Sequence, residues 1–167
     1  ASGDYTQGDG QETGDTEDNV FELYPGVDSD NWGWGMMALM LTQGFDLSEY
    51  SSGNLVFSVK TEYPGIIEAG LQTGLGTDND SWDLIVNLDP TDNSYGYNND
   101  GAWHEVIIPI ADLVGSAEIS YGNDASTAVQ LDKVYTPFVI ADRGGATGDS
   151  WDTETTIFID KVRWTKN

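Results

Sequence analysis

The sequence of 167 residues has no cysteine, one histidine, and only six lysines and arginines. The missing cysteines exclude disulfides, cysteine-ligated zinc, iron–sulfur clusters and thiol nucleophiles. The single histidine confines any Ser-His-Asp triad to His104. It lies in Trp103-His104-Glu105 at the start of a β-branched run, with no serine signature elsewhere, and reads as a strand residue hydrogen-bonded near the surface. No apolar run approaches the roughly 18 residues of a membrane span, so no membrane insertion is expected. Phosphate loops and dinucleotide fingerprints are missing too: Gly70–Gly76 has neither the lysine nor the following helix.

Against six basic residues stand 29 Asp and Glu, a formal net charge of −23. Such a field repels phosphate backbones and anionic lipid, which excludes nucleic-acid partners and membrane-surface roles. It also disfavours a polyanionic ligand. Low hydrophobicity with high charge often means disorder, but 11% of this chain is aromatic, with six Trp and eight Tyr. Aromatic rings carry large burial areas. The expectation is a folded domain with an acidic surface, as in an exported bacterial protein from a salty habitat, extracellular or on the cell surface. The sequence begins at Ala1 without methionine or signal peptide, and is expected to be the mature or excised part of a longer chain with other domains attached.

Residues 1–19 hold Gly, Thr, Gln and acids with no basic residue, the composition of a flexible acidic leader or linker. A single domain is expected over 20–167. Its signals are those of strands: Phe21–Tyr24, Met36–Leu41, Asn54–Glu62, Ile66–Gln72, Trp82–Leu88, Trp103–Ile110, Val134–Ala141 and Thr155–Trp164. Asn54–Glu62 alternates Leu55, Phe57 and Val59 against Val56, Ser58 and Lys60. Ile66–Gln72 alternates Ile67, Ala69 and Leu71 against Glu68, Gly70 and Gln72. Each run ends in Gly, Pro, Asn or Asp. No segment keeps a helical period over a dozen residues; short helical turns are expected at Leu47–Tyr50 and Ile110–Leu113. With no helix to cover the apolar strand faces, a second sheet must do so. The fold class is therefore all-β, a sandwich of two antiparallel sheets.

Carboxylate pairs hydrolyse glycosides, but with 29 acids chance pairs are certain. The glucanase signatures Glu-x-Asp-x-Glu and Glu-x-Asp-x-x-Glu do not occur, and Asp152-Thr-Glu154 is the nearest pattern. No enzyme is expected. Aromatic residues in polar turns carry the positive signal. Trp32 and Trp34 sit in Asp-Asn-Trp-Gly-Trp-Gly, Trp82 follows Asp78-Asn-Asp-Ser, Tyr97 sits in Tyr-Gly-Tyr-Asn-Asn, and Trp151 in Gly-Asp-Ser-Trp-Asp. An exposed ring beside amide and carboxylate acceptors suits a pyranose, whose C–H face stacks while its hydroxyls find partners. Loop caps over the core are the competing reading. Arg143, in Ala-Asp-Arg-Gly-Gly, offers a donor fork to sugar hydroxyls or an ion pair to Asp142 or Asp149. Trp103 and Trp164 flank apolar strands and read as core. The oxygen-rich loops at Asp28–Asp30, Asp78–Asp83 and Asp142–Asp152 suit Ca²⁺ in composition but lack EF-hand spacing.

The order of motifs resembles a known family. Trp34-Gly, Phe45-Asp-Leu-Ser-Glu-Tyr50 and Gly53-Asn-Leu-Val-Phe-Ser-Val-Lys60 precede Gly101-Ala-Trp-His-Glu-Val-Ile-Ile-Pro-Ile-Ala-Asp-Leu113. Leu131-Asp-Lys-Val-Tyr-Thr-Pro-Phe138 and Ile157-Phe-Ile-Asp-Lys-Val-Arg-Trp164 follow. Over residues 20–165 this resembles galactose-binding-like β-jelly-roll carbohydrate-binding modules, and is similar to the C-terminal domain of ExoP-like bacterial β-glucan hydrolases. The resemblance implies a jelly roll with a structural Ca²⁺ tying the first strand to the last. The Asp of the Ile-Asp motif, Asp160, would be a ligand, with Glu22 and Asp28 or Asp30 as co-ligands by position. It implies a glycan site on a concave sheet face or at edge loops, for which Trp32, Trp34, Trp82, Tyr97, Arg143 and Trp151 are the candidates. Charge and resemblance together point to a neutral polysaccharide, β-1,3-glucan (laminarin) or mixed-linkage β-glucan. The functional expectation is a non-catalytic carbohydrate-binding module of a secreted polysaccharide-utilisation protein. The alternatives are a structural or protein-interaction sandwich, or a jelly-roll hydrolase or lyase.

Overall fold

The computed structural model describes residues 2–5, 20–24, 34–38, 44–74, 81–120, 128–142 and 155–167. In chain order the strands are β1 (Ser2–Tyr5), β2 (Phe21–Tyr24), β3 (Trp34–Ala38), β4 (Asn54–Thr61), β5 (Ile67–Thr73) and β6 (Trp82–Leu88). Then come β7 (Trp103–Pro109), the short helix α1 (Ile110–Gly115), β8 (Glu118–Ile119), β9 (Val134–Asp142) and β10 (Ile157–Thr165). They form two five-stranded sheets, β1-β2-β10-β4-β7 and β3-β9-β5-β6-β8, and every pairing is antiparallel.

Alternation decides which residues meet between the sheets. From the first sheet Leu23, Leu55, Phe57, Val59, Val106, Ile108, Ile157 and Ile159 are buried; from the second, Ile67, Ala69, Leu71, Leu84, Leu88, Phe138 and Ile140. Each such aliphatic side chain contributes about 1.5–3 kcal/mol relative to exposure. Phe57 meets Phe138 edge to face across the layer, ring centroids 5.2 Å apart. At one end Trp164 turns inward and its indole N–H donates to the Pro137 carbonyl at 3.2 Å, so the last strand is pinned to the opposite sheet.

The eight strands read from sequence are all present, β2 and β6 with the ends read and the others with shifted ends. β3 starts at Trp34 rather than Met36, and β10 at Ile157 rather than Thr155. The helical turns appear as a 3-10 turn at Ser48–Tyr50 and as α1. Two strands had no hydrophobic signal. β8 is two exposed residues at the sheet edge. β1 lies within the stretch read as a leader; its backbone pairs with β2 from Ser2↔Tyr24 to Tyr5↔Phe21. Edge pairing needs only backbone N–H and C=O groups, which composition does not reveal. Residues 6–19 lie outside the described residues.

Candidate functional site

The outer face of the second sheet is a trough built from three cross-strand rows. Gln72 on β5 pairs with Asp83 on β6, which pairs with Glu118 on β8. One step along, Val139 on β9 pairs with Gly70, and Gly70 with Ile85. The next row is Ala141, Glu68 and Asn87. An apolar row thus runs between two polar ones, at a strand spacing of about 4.8 Å and a row spacing of about 6.8 Å. Gly70 sits at the centre, where the β6 backbone comes so close that a Cβ would lie 1.9 Å from the Leu84 carbonyl oxygen. Only glycine fits this close approach of the two strands.

Glu68, Asp83, Ile85, Asn87, Ser116 and Glu118 enclose a cleft of about 420 Å³ here. Ser116, the residue after α1, lines one side of it. Asp83 is held in place. The Gln72 amide donates to its Oδ1 at 2.8 Å and to Ser120 Oγ at 3.1 Å, and the Ser120 hydroxyl donates to the same Oδ1 at 2.8 Å. These bonds fix the carboxylate before any ligand arrives, so little ordering cost remains at binding. Among the described residues the cleft is lined by three carboxylates and an amide, and by no cation. Its chemistry is that of accepting hydrogen bonds from hydroxyl groups over an apolar strip.

Only some of the residues singled out from sequence are among the described residues. Trp32, Arg143 and Trp151 lie outside the described residues, as do Asp28 and Asp30. Trp34 opens β3, its backbone opposite Asp142 on β9. Trp82 opens β6 opposite Thr73, at the other end of the sheet. The two Cα positions are about 20 Å apart along the strands. Trp82 is half-buried and packs against the core. Tyr97 requires a correction. Its side chain is fully buried in the core and presents no ring face to a sugar. Burial, followed by the neighbouring Tyr63, pushes its phenol well above the ordinary range. The Gly and Asn around Tyr97 belong to a turn, Ser94–Gly96, that delivers the ring inward. Trp103, read as core, instead pairs with Lys60 on the outer face of the first sheet. His104 accords with its structural reading: its Nε2 lies 2.7 Å from Asp100 Oδ1.

The trough residues went unselected because single polar residues on a strand carry no motif. The available signal was the alternation itself, which puts Glu68, Gly70 and Gln72 on one face and Asp83, Ile85 and Asn87 on the matching face of the next strand.

For a cation, Glu22 on β2 is opposite Phe158 on β10, two positions from Asp160 and on the same face. Asp160 Oδ1 accepts the Lys161 N–H at 2.6 Å. These are hard oxygen donors of the kind Ca²⁺ takes. Among the described residues no group of three or more His, Cys, Asp or Glu side chains converges as a metal would require.

The sequence profile described as "Carbohydrate binding domain 30" matches residues 7–166. The chain belongs to this family. Solved family-30 modules share the fold. One superposes with a TM-score of 0.61 at 18% identity over 89% of this chain and 76% of its own. Another, the family 30 module of the cellulosomal cellulase Cel9D-Cel44B of Clostridium thermocellum, gives 0.64 at 18% identity over 100% and 85%. An exo-β-agarase is also similar, with a TM-score of 0.54 at 9% identity over 100% of this chain and 23% of its own. No curated protein matches the sequence. The resemblance to β-sandwich carbohydrate-binding modules thus resolves to family 30, and the fold is the expected sandwich of two antiparallel sheets.

Proposed function

We propose that this family-30 domain is a non-catalytic module that holds a neutral glucan chain along the outer face of its second sheet. The observation that carries this reading is the cleft along β6, in which Ile85 forms an apolar strip between Glu68 and Asn87 on one side and Asp83 and Gln72 on the other, while its row neighbours Gly70 and Val139 are buried. A pyranose laid on the apolar strip directs its equatorial hydroxyls sideways, towards Glu68 and Asn87 on one side and Asp83 and Gln72 on the other. The cleft runs along β6 from Asp83 to Asn87, a direction that suits a polymer chain. With a net charge of −23 and three carboxylates in the cleft, uronate and sulfated chains are repelled.

The ligand we infer is β-1,3-glucan or mixed-linkage β-glucan. A similar module carried by a cellulase supports a β-glucan. Such ligands place the domain in an exported protein, beside other domains that act on the polysaccharide. A few hydrogen bonds and one apolar strip give about micromolar to millimolar affinity. A structural Ca²⁺ held by Asp160 and Glu22, with Asp28 or Asp30, belongs to the same proposal; when bound it supplies charge neutralisation between the second strand and the last. Titration with laminarin and mixed-linkage glucan tests the reading. Saturable heat lost in Ile85→Asp supports it, and unchanged heat in that variant places the ligand elsewhere.

A further inference from the structure

The first sheet turns an unusual row to solvent. Phe158 on β10 pairs with Lys60 on β4, and Lys60 with Trp103 on β7. The Phe158 and Trp103 rings meet edge to face at 6.5 Å and 61°. The Lys60 ammonium stands 5.5 Å from the Phe158 centroid. Solvated faces of antiparallel sheets normally carry polar residues, so two half-buried aromatic rings here need a reason.

A cleft of about 220 Å³ opens beside them, lined among others by Lys60, Glu62, Gly101, Thr155, Thr156 and Phe158. Its wall is one aromatic ring and its rim is hydroxyls, a carboxylate and an ammonium. The local backbone keeps it open. Gly101 sits at φ +78° with its N–H donated to the Thr61 carbonyl at 3.0 Å, and a Cβ there would meet Glu62 Oε1 at 3.0 Å. The Thr61 hydroxyl donates to the Thr156 carbonyl at 3.0 Å, which fixes the opposite rim. The cleft is smaller than the roughly 300–1,000 Å³ of drug-sized ligand sites, a scale suited to one ring rather than a chain.

We propose that this cleft is a second carbohydrate site, on the sheet opposite the trough, taking a single pyranose ring of a neutral glycan. The ring's C–H face lies on Phe158, flanked by Trp103, and its hydroxyls reach Glu62 and the Thr155–Thr156 rim. The ligand class rests on the function proposed above; the location does not. Two sites on opposite faces let one domain touch two chains of a polysaccharide mass, where linked contacts raise the effective affinity without new contacts.

The test is a titration of the ¹⁵N-labelled protein with laminarin and cello-oligosaccharides, following the Trp103 indole N–H signal assigned through Trp103→Phe. Calorimetry on the same samples gives the stoichiometry. The expected result is movement of the Trp103 signal, two sites per chain, and one site after Thr155→Trp fills the cleft or Glu62→Ala removes an acceptor. Trough affinity in those variants is expected within about twofold of the parent. A single site that Ile85→Asp abolishes, with Trp103 unmoved, overturns the second site and leaves the trough. Movement of Trp103 with no response to Ile85→Asp keeps the second site and overturns the trough. Silence of every signal overturns both.

Discussion

The Tyr63 hydroxyl donates to Asp142 Oδ2 at 2.8 Å, and both side chains are fully buried. Tyr63 follows β4 of the first sheet and Asp142 ends β9 of the second, so this bond ties the two layers at one end of the sandwich. Trp164 and Pro137 tie them elsewhere. A buried carboxylate keeps its place only while its donors remain.

Tyr63→Phe removes one of those donors and leaves the shape intact. A hydrogen bond to a charged group is worth about 1.5–3 kcal/mol, and the variant is expected to lose that much in urea unfolding with an unchanged m-value. A loss below about 0.5 kcal/mol would mean that water replaces the phenol at no cost.

Much of this architecture was legible in the sequence, because a strand with an apolar face advertises itself by a period of two even where, as in β4, Val56 and Ser58 on the other face are buried too. Leu55, Phe57 and Val59 recur at a period of two and are all buried. The turn residues around them marked the ends. What stayed hidden was decided by tertiary placement. Tyr97 sits among Gly, Asn and Asp, yet the Ser94–Gly96 turn carries its ring into the core. Trp103 opens an apolar strand, yet faces outward because register assigns that face to it. The trough needed both kinds of knowledge. Its residues alternate visibly along β5 and β6, but which rows align depends on the pairing Gly70↔Ile85, which no local pattern prints.

The trough makes a graded prediction. Asn87 is exposed and stands on the polar row beside Glu68, so Asn87→Ala is expected to weaken glucan binding by about 0.5–1.5 kcal/mol, the net worth of one hydrogen bond. Ile85→Asp puts a charge in the apolar strip and is expected to weaken it more than tenfold. Both positions are outward, so melting temperatures are expected within a few degrees of the parent. Equal affinities for all three proteins would disprove the trough as the site.

Acid sensitivity has one local source that can be isolated. The bond from His104, followed by the Ala102 N–H, holds the exposed Asp100 carboxyl below its ordinary value of 3.8. A depressed native pKa stabilises the fold above the unfolded value, and the contribution is lost as pH falls through the native one. The Tm difference between the parent and Asp100→Asn is therefore expected to be present at neutral pH and to shrink below about pH 3.8. A difference that persists unchanged at pH 2 would assign the effect to something other than this carboxylate.

The calcium proposal is separable from the glycan one. A cation bound only by the native state raises Tm by mass action, about 2.7 kcal/mol at a hundredfold excess over Kd. EDTA is expected to lower the Tm of the parent and to leave Asp160→Ala unmoved. An EDTA-insensitive parent would remove Ca²⁺ from the account without touching the trough.

The most direct measurement is isothermal titration calorimetry of the parent protein and Ile85→Asp against laminarin, mixed-linkage glucan and alginate. The account predicts saturable heat with at least one neutral glucan, none with alginate, and a loss of more than tenfold in affinity on placing the charge at position 85. Binding to alginate, or neutral-glucan binding indifferent to Ile85→Asp, would contradict it.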